Sequence, residues 1–143
     1  VAAAGALTDA VRAHVPIRHP AEPDLGFLYG TILTDEAAPP EPSLNLCVFA
    51  ERQIDRSPTG SGVTARMALD HAKGLIGAGV ERVFRGITGE PFGARIVGAG
   101  EGCVTVEVSG HSHFCGEGSF VIEAGDPLGW GFELAKSFGD LKS

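Results

Sequence analysis

The run LNLCVFA (44–50) is separated by only four residues from DRSPTGSG (55–62), and GVTARMALDHAKGLIGAG (62–79) follows directly. The first run is short and nearly all apolar, which predicts a strand buried on both faces. The second is a cluster of turn formers. The third carries Val63, Ala65, Met67, Ala68, Leu69, Ala72, Leu75 and Ile76 around almost its whole circumference. A helix of that kind is normally enclosed rather than laid on a surface. Gly77 and Gly79 are the expected stop.

The flanking sequence supplies the material to enclose it. ALTDAVRAHV (6–15) spaces Leu7, Val11 and Val15 as one helical stripe that Pro16 ends. PIRHPAEPD (16–24) is a connector. FLYGTILTD (27–35) reads as a strand with a bulge at Gly30. EAAPPEPS (36–43) is a surface loop. ERVFRGI (81–87), FGARIVGAG (92–100) and SFVIEA (119–124) are strand candidates. CVTVEVSG (103–110) alternates Val104, Val106 and Val108 with Thr105 and Glu107, the pattern of a half-buried strand. The expected fold class is α+β, a curved sheet wrapped around a central helix in one domain, 1–143.

Composition removes several classes of function. A net charge of −7 with no Lys/Arg cluster argues against nucleic acid. No apolar run is long enough to span a membrane. Cys47, Cys103 and Cys115 are odd in number and irregularly spaced, which points to reduced thiols in a cytoplasmic protein. The 21 glycines, roughly twice the usual share of about 7%, indicate tight turns and close backbone approaches. The alanine-rich start has no basic region, so it does not read as a secretory signal.

The loop 55–62 carries the chemistry. Amides at the start of a helix, near Gly60 to Gly62, form an anion site. Gly60 and Gly62 would let a ligand approach, and Ser57, Thr59, Ser61 and Thr64 add hydroxyls. Asp55 adds an acid at the entrance. An anion site beside an acid suits a zwitterion, such as an amino or imino acid. A plainer arrangement is open on the same residues: Ser57 or Ser61 caps the helix, and Asp55 pairs with Arg56 or Arg66. The order GSGVTA, with Glu81 downstream, also fits a dinucleotide fingerprint. That fingerprint must follow its strand at once, and here nine residues intervene. A Walker loop lacks its lysine.

At this loop the chain resembles the proline racemase family, whose second-lobe signature stands here as DRSPTGSGVTARMAL. The match extends to FLYGTILTD, NLCVFAERQIDRSP and VEVSGHSHFCGEGSFVIE. The resemblance implies a fold of two similar lobes, of the proline racemase/diaminopimelate epimerase kind, with the active site between them. This chain would be a C-terminal piece, one lobe of the two. It implies chemistry without a cofactor, in which two cysteines face opposite sides of the substrate Cα. One belongs to a Cys-Gly-His segment of the N-terminal lobe, and no such segment is present here. The other would stand at position 59, where this chain has Thr59.

An alcohol without a basic neighbour exchanges protons poorly. Thr59 therefore implies one-sided removal of the α-proton and loss of a β-hydroxyl, the dehydration of 3-hydroxyproline. A 4-hydroxyproline epimerase or proline racemase, or a non-catalytic imino-acid-binding module, is the alternative. Carried over by position, Asp55 binds the substrate amine and Gly60 and Ser61 bind its carboxylate. Phe49 packs against its ring or serves the core. The implied partners are hydroxyproline and the N-terminal lobe, with a homodimer as an option.

The remaining candidates have ordinary readings. His111 and His113 would share a strand face, but no third ligand stands near, so no metal is expected. His71 reads as a hydrogen-bonded core histidine, and His14 and His19 as solvated. Cys47 reads as buried and inert, and Cys103 and Cys115 as residues of neighbouring strands. Trp130 reads as a packing residue at an exposed edge.

Overall fold

The computed structural model describes residues 1–35 and 37–132. The chain divides into two compact units: Val1–Val15 with Leu28–His111, and Pro16–Phe27 with the stretch from Ser112 onward.

The first unit holds a mixed sheet. Its strands are β1 (Gly30–Thr34), β2 (Ser43–Phe49), β3 (Gln53–Ile54), β4 (Glu81–Arg85), β5 (Pro91–Gly100) and β6 (Cys103–Ser109). The order is β1-β2-β4-β5-β6, and β3 pairs with β2. β4, β5 and β6 pair antiparallel in succession. β2 and β4 run parallel, at Ser43 opposite Phe84 and Leu44 opposite Arg85. The helix between them, α2 (Gly60–Ala72), is thus a crossover. Sequence periodicity gave no hint of this, because a two-pair parallel contact leaves no pattern of its own.

The core lies between α2 and the hairpins: Val63, Met67, Ile76, Phe84, Ala94 and Ile96, with Phe92, Val104, Val106 and Val108 packed against them. β6 alternates as expected. α2 is less enclosed than its composition suggests. It buries Val63, Met67 and Asp70 on one face, while Leu69 is 52% exposed. It also ends earlier than expected. Gly74, at φ +70°, turns the chain immediately after Lys73, and the amide of Leu75 returns to the Asp70 carbonyl.

Two strand expectations need correction. β2 is not buried on both faces: Ser43, Asn45 and Cys47 are buried, but Leu44 is 55% exposed. Gly30 is not a bulge, since the β1–β2 register runs unbroken from Gly30↔Phe49 to Thr34↔Asn45. A Cβ there would fall 2.5 Å from the Val48 carbonyl oxygen, so glycine permits a close strand approach. The register shift lies instead in β5, between Ile96 and Gly98.

α1 (Ala2–His14) packs on β1 with small residues, not with the stripe of Leu7, Val11 and Val15. Ala4, Gly5 and Thr8 are the buried positions, and the Thr8 and Thr31 hydroxyls share a 2.7 Å hydrogen bond. The helix therefore sits close to the sheet, and Leu7 and Val15 turn outward. Thr31 thus meets α1, whereas its neighbour Ile32 reaches Gly62 of α2. Successive strand residues point to opposite faces, so the two helices cover opposite sides of the sheet.

In the second unit, Pro23–Leu25 form a single 3-10 turn. SFVIEA is not a strand, and Phe114, Phe120, Val121 and Trp130 are exposed. His111 and His113 lie beyond the end of β6, so they share no strand face. Cys115 lies outside any strand as well, and Cys103 and Cys115 are both exposed, whereas Cys47 is buried.

Candidate functional site

Loop 55–62 folds on itself through its own short side chains. The Asp55 amide donates to the Cys47 carbonyl at 3.0 Å, which ties the loop entrance to β2. Asp55 Oδ1 then accepts from the Ser57 amide at 2.8 Å, and Oδ2 accepts from the Thr59 hydroxyl at 2.8 Å. Ser57 Oγ accepts from the Thr59 amide at 3.0 Å. Thr59 carries φ +69° and ψ +101°, a conformation a β-branched residue avoids. Such strain costs about 1–3 kcal/mol and persists only where the surroundings over-determine it.

The hydroxyl of Thr59 is spent on Asp55, so it does not cap α2 although Thr59 occupies the N-cap position. The helical ladder begins with the Val63 amide donating to the Thr59 carbonyl. The amides of Gly60, Ser61 and Gly62 precede that bond and receive no side-chain cap, so they are available to an anion. Open space surrounds Gly60, where an added Cβ would meet nothing within 4 Å. Gly62 has a different task from the one expected: a Cβ there would collide with Ile32. Ser61 is exposed, and the Thr64 hydroxyl turns back to the Gly60 carbonyl at 2.9 Å.

The electrostatics follow from these contacts. Burial pushes the Asp55 carboxyl up, but the Ser57 amide, the Thr59 and Ser57 hydroxyls and the Arg56 charge outweigh it. The net result lies below the ordinary 3.8. Asp55 is therefore a fixed negative charge beside unpaired helix amides. It is also too weak a base to activate the Thr59 hydroxyl that it accepts from. The expected alternative pairing of Asp55 with Arg66 does not occur. Arg66 instead donates to Ser43 Oγ at 2.5 Å and Asn45 Oδ1 at 2.9 Å.

Sequence reasoning missed a polar frame beneath the loop. Asn45 Nδ2 donates to the Pro58 carbonyl at 3.0 Å, and Ser43 Oγ donates to Asp35 Oδ1 at 2.6 Å. The signal was available: Ser43 and Asn45 are polar at alternate positions of an otherwise apolar strand. On the other side, Gly86 of the β4–β5 turn would place a Cβ 2.7 Å from the Ser57 carbonyl carbon, and Thr88 Oγ1 donates to the Arg56 carbonyl at 3.1 Å. Lower down, Arg82 is fully buried and bonds Asp70 at 2.6 Å and the carbonyls of Ala37 and Glu41. No buried side-chain polar atom among the described residues lacks a partner.

Phe49 ends β2 on the face that carries Asn45 and Cys47, by strand alternation. Its ring lies 5.5 Å from that of Tyr29. His71, as expected, bonds a carbonyl, that of Ile76. Among the described residues, no three His, Cys, Asp or Glu side chains gather as metal ligands. No described helix is long and apolar enough to cross a membrane.

Residues 1–133 match the family model described as proline racemase. The chain is 51% identical to a human trans-3-hydroxy-L-proline dehydratase over 141 residues, covering 94% of this chain and 40% of that protein. It is 38% identical to a 3-hydroxyproline 2-epimerase of Burkholderia multivorans, over 86% of this chain and 38% of that protein. A crystal structure of a hydroxyproline epimerase from Agrobacterium vitis, with bound trans-4-OH-L-proline, superposes with a TM-score of 0.72. The identity there is 29%, over 99% of this chain and 42% of that one. The chain thus spans about 40% of the length of the curated relatives it matches.

Proposed function

The chain belongs to the proline racemase family, and from that premise we propose that it is the C-terminal lobe of an enzyme that dehydrates trans-3-hydroxy-L-proline. The observation that carries this reading is the pairing of Asp55 with Thr59 at the uncapped start of α2. Asp55 holds the substrate ammonium. The amides of Gly60 and Ser61 hold its carboxylate, and Phe49 borders its ring. Thr59, bound to a weakly basic carboxylate, has no means to carry the α-proton.

The chemistry then runs on one side of the substrate. A base of the N-terminal lobe takes the α-proton. The C–H electrons form the Cα–Cβ double bond, the C–O bond to the 3-hydroxyl breaks, and the protonated base returns its proton to the departing hydroxide, which leaves as water. The enamine tautomerises to pyrroline-2-carboxylate. In the trans isomer the α-hydrogen and the 3-hydroxyl lie on the same ring face, so both depart toward the same lobe and away from Thr59. No cofactor enters this scheme, and the cytoplasm is the proposed compartment.

The likeness to epimerases supports a second reading, inversion at Cα, and Thr59 is the residue that weighs against it. The test is to give the full-length enzyme trans-3-hydroxy-L-proline and follow the product by NMR. Pyrroline-2-carboxylate is expected. Inverted hydroxyproline without pyrroline would establish the epimerase reading instead.

A further inference from the structure

We propose that Asn45, aligned by Arg66, is a positioning residue that aims the first-turn amides of α2 at the substrate carboxylate. This rests on the reading that those amides bind that carboxylate. Asn45 belongs to β2, is 2% exposed and touches both ends of the segment that forms the cradle. Its Nδ2 donates to the carbonyl of Pro58, immediately before Thr59. Its Oδ1 accepts from Nη1 of Arg66, in the second turn of α2. The carbonyl of Pro58 and the guanidinium of Arg66 bracket Thr59, Gly60, Ser61 and Gly62, and one amide side chain holds both brackets.

The direction of that amide is not free. A guanidinium can only donate, so it takes the Oδ1 end and leaves the Nδ2 end for Pro58. Arg66 is fixed in turn by Ser43 Oγ, which donates to Asp35, and by the Phe84 ring, 5.2 Å from its guanidinium carbon. The Pro58–Thr59 peptide plane therefore takes its orientation from β2 and α2 together. That plane leads directly into the left-handed Thr59 and the amides beyond it.

The test uses the full-length enzyme and the variant Asn45→Asp. Its carboxylate keeps the shape and still accepts from Arg66, but at neutral pH it has no hydrogen to donate to Pro58. Dehydration kcat/KM is expected to fall about tenfold or more. Inhibition by L-proline should weaken by a similar factor. Inhibition by L-prolinamide, which keeps the imino group but lacks the carboxylate, should stay within about twofold. A merely structural fault would weaken both inhibitors together. Asn45→Ser, neutral and shorter, serves as the second variant with the same expectation.

A kcat/KM within about twofold of wild type overturns the proposal, as does equal weakening of the two inhibitors. Failure of both variants to fold, seen as loss of the thermal transition, assigns Asn45 to stability alone and also overturns it. Stronger inhibition of the wild-type enzyme by L-proline than by L-prolinamide tests the underlying reading separately, and equal inhibition of wild type by the two overturns that reading rather than the role of Asn45.

Discussion

Segments 55–62 and 112–132 are both rich in glycine, and neither 55–59 nor 112–132 forms a helix or strand, yet they are built differently. In the loop, Asp55, Ser57 and Thr59 bond one another, and Asn45 and Thr88 reach its carbonyls from two sides. In 112–132, Phe114, Phe120 and Trp130 stand almost fully exposed. The difference lies in what specifies a conformation. The loop is determined by short polar side chains that find partners within a few residues or in the neighbouring strand. Apolar side chains specify nothing until a surface removes them from water. The conformation of loop 55–62 is thus set by contacts within the first unit.

The largest expected effect comes from the buried ion pair of the first unit, below the loop and its frame. Arg82 is buried, pairs with Asp70 and ties down the carbonyls of Ala37 and Glu41. Arg82→Ala strands the Asp70 carboxylate and should cost about 3–5 kcal/mol in urea unfolding. Phe120→Ser, in a side chain 97% exposed, should change the stability of residues 1–143 by no more than about 0.5 kcal/mol. Comparable losses from the two would erase the distinction.

Asp55 tests whether the loop's order serves binding. Asp55→Ala in the full-length enzyme should lower kcat/KM about tenfold or more, roughly 1.4 kcal/mol, with little change in thermal stability. An unchanged kcat/KM leaves Asp55 as a loop residue only.

Acidity gives a smaller effect that sharpens the same point. Asp55 is held below 3.8, so it is charged above that value and protonates only as the pH falls through its lowered one. Its contribution to stability, and to ammonium binding on the proposed reading, is fully present above the unfolded value and lost as the pH falls through the lowered folded-state one. L-Proline inhibition should therefore not weaken through Asp55 between about pH 7 and about pH 5. A weakening in that window that disappears in Asp55→Asn would mean that Asp55 titrates higher than its hydrogen bonds allow.

How much of this was legible in the sequence depends on which physical signal each residue leaves. DRSPTGSG announced an acid at a helix start because turn formers, glycines and hydroxyls act locally. Val104, Val106 and Val108 announced β6 because alternation is local as well. The outward turn of Leu7 and Val15 was not legible, since it depends on how closely Ala4 and Gly5 let α1 approach β1. The parallel pairing of β2 with β4 was not legible for the same reason. Asn45 and Arg66 are 21 positions apart, and only the fold joins them. SFVIEA failed in the opposite way: it has the composition of a strand and no partner strand among the described residues.

Thr59 gives the subtlest test. It stands where the two-sided enzymes are expected to hold a thiol, at a helix start that favours an anion. Its own proton already lies on a hydrogen bond to Asp55, and Asp55 is too acidic to take that proton. Thr59→Ala should therefore keep much of the dehydration. Its loss should reflect only the freed Asp55 oxygen and the relaxed backbone at φ +69°. Thr59→Cys places at the same point a group whose pKa a helix start can lower into the working range. With 4-hydroxyproline, which has no β-hydroxyl to lose, that variant should gain measurable inversion at Cα. The measurement is deuterium uptake from heavy water with chiral separation of the product. If wild type already inverts 4-hydroxyproline as fast as it dehydrates 3-hydroxyproline, Thr59 does not confine the chemistry to one side. The loop's hydrogen bonds would then serve an epimerase.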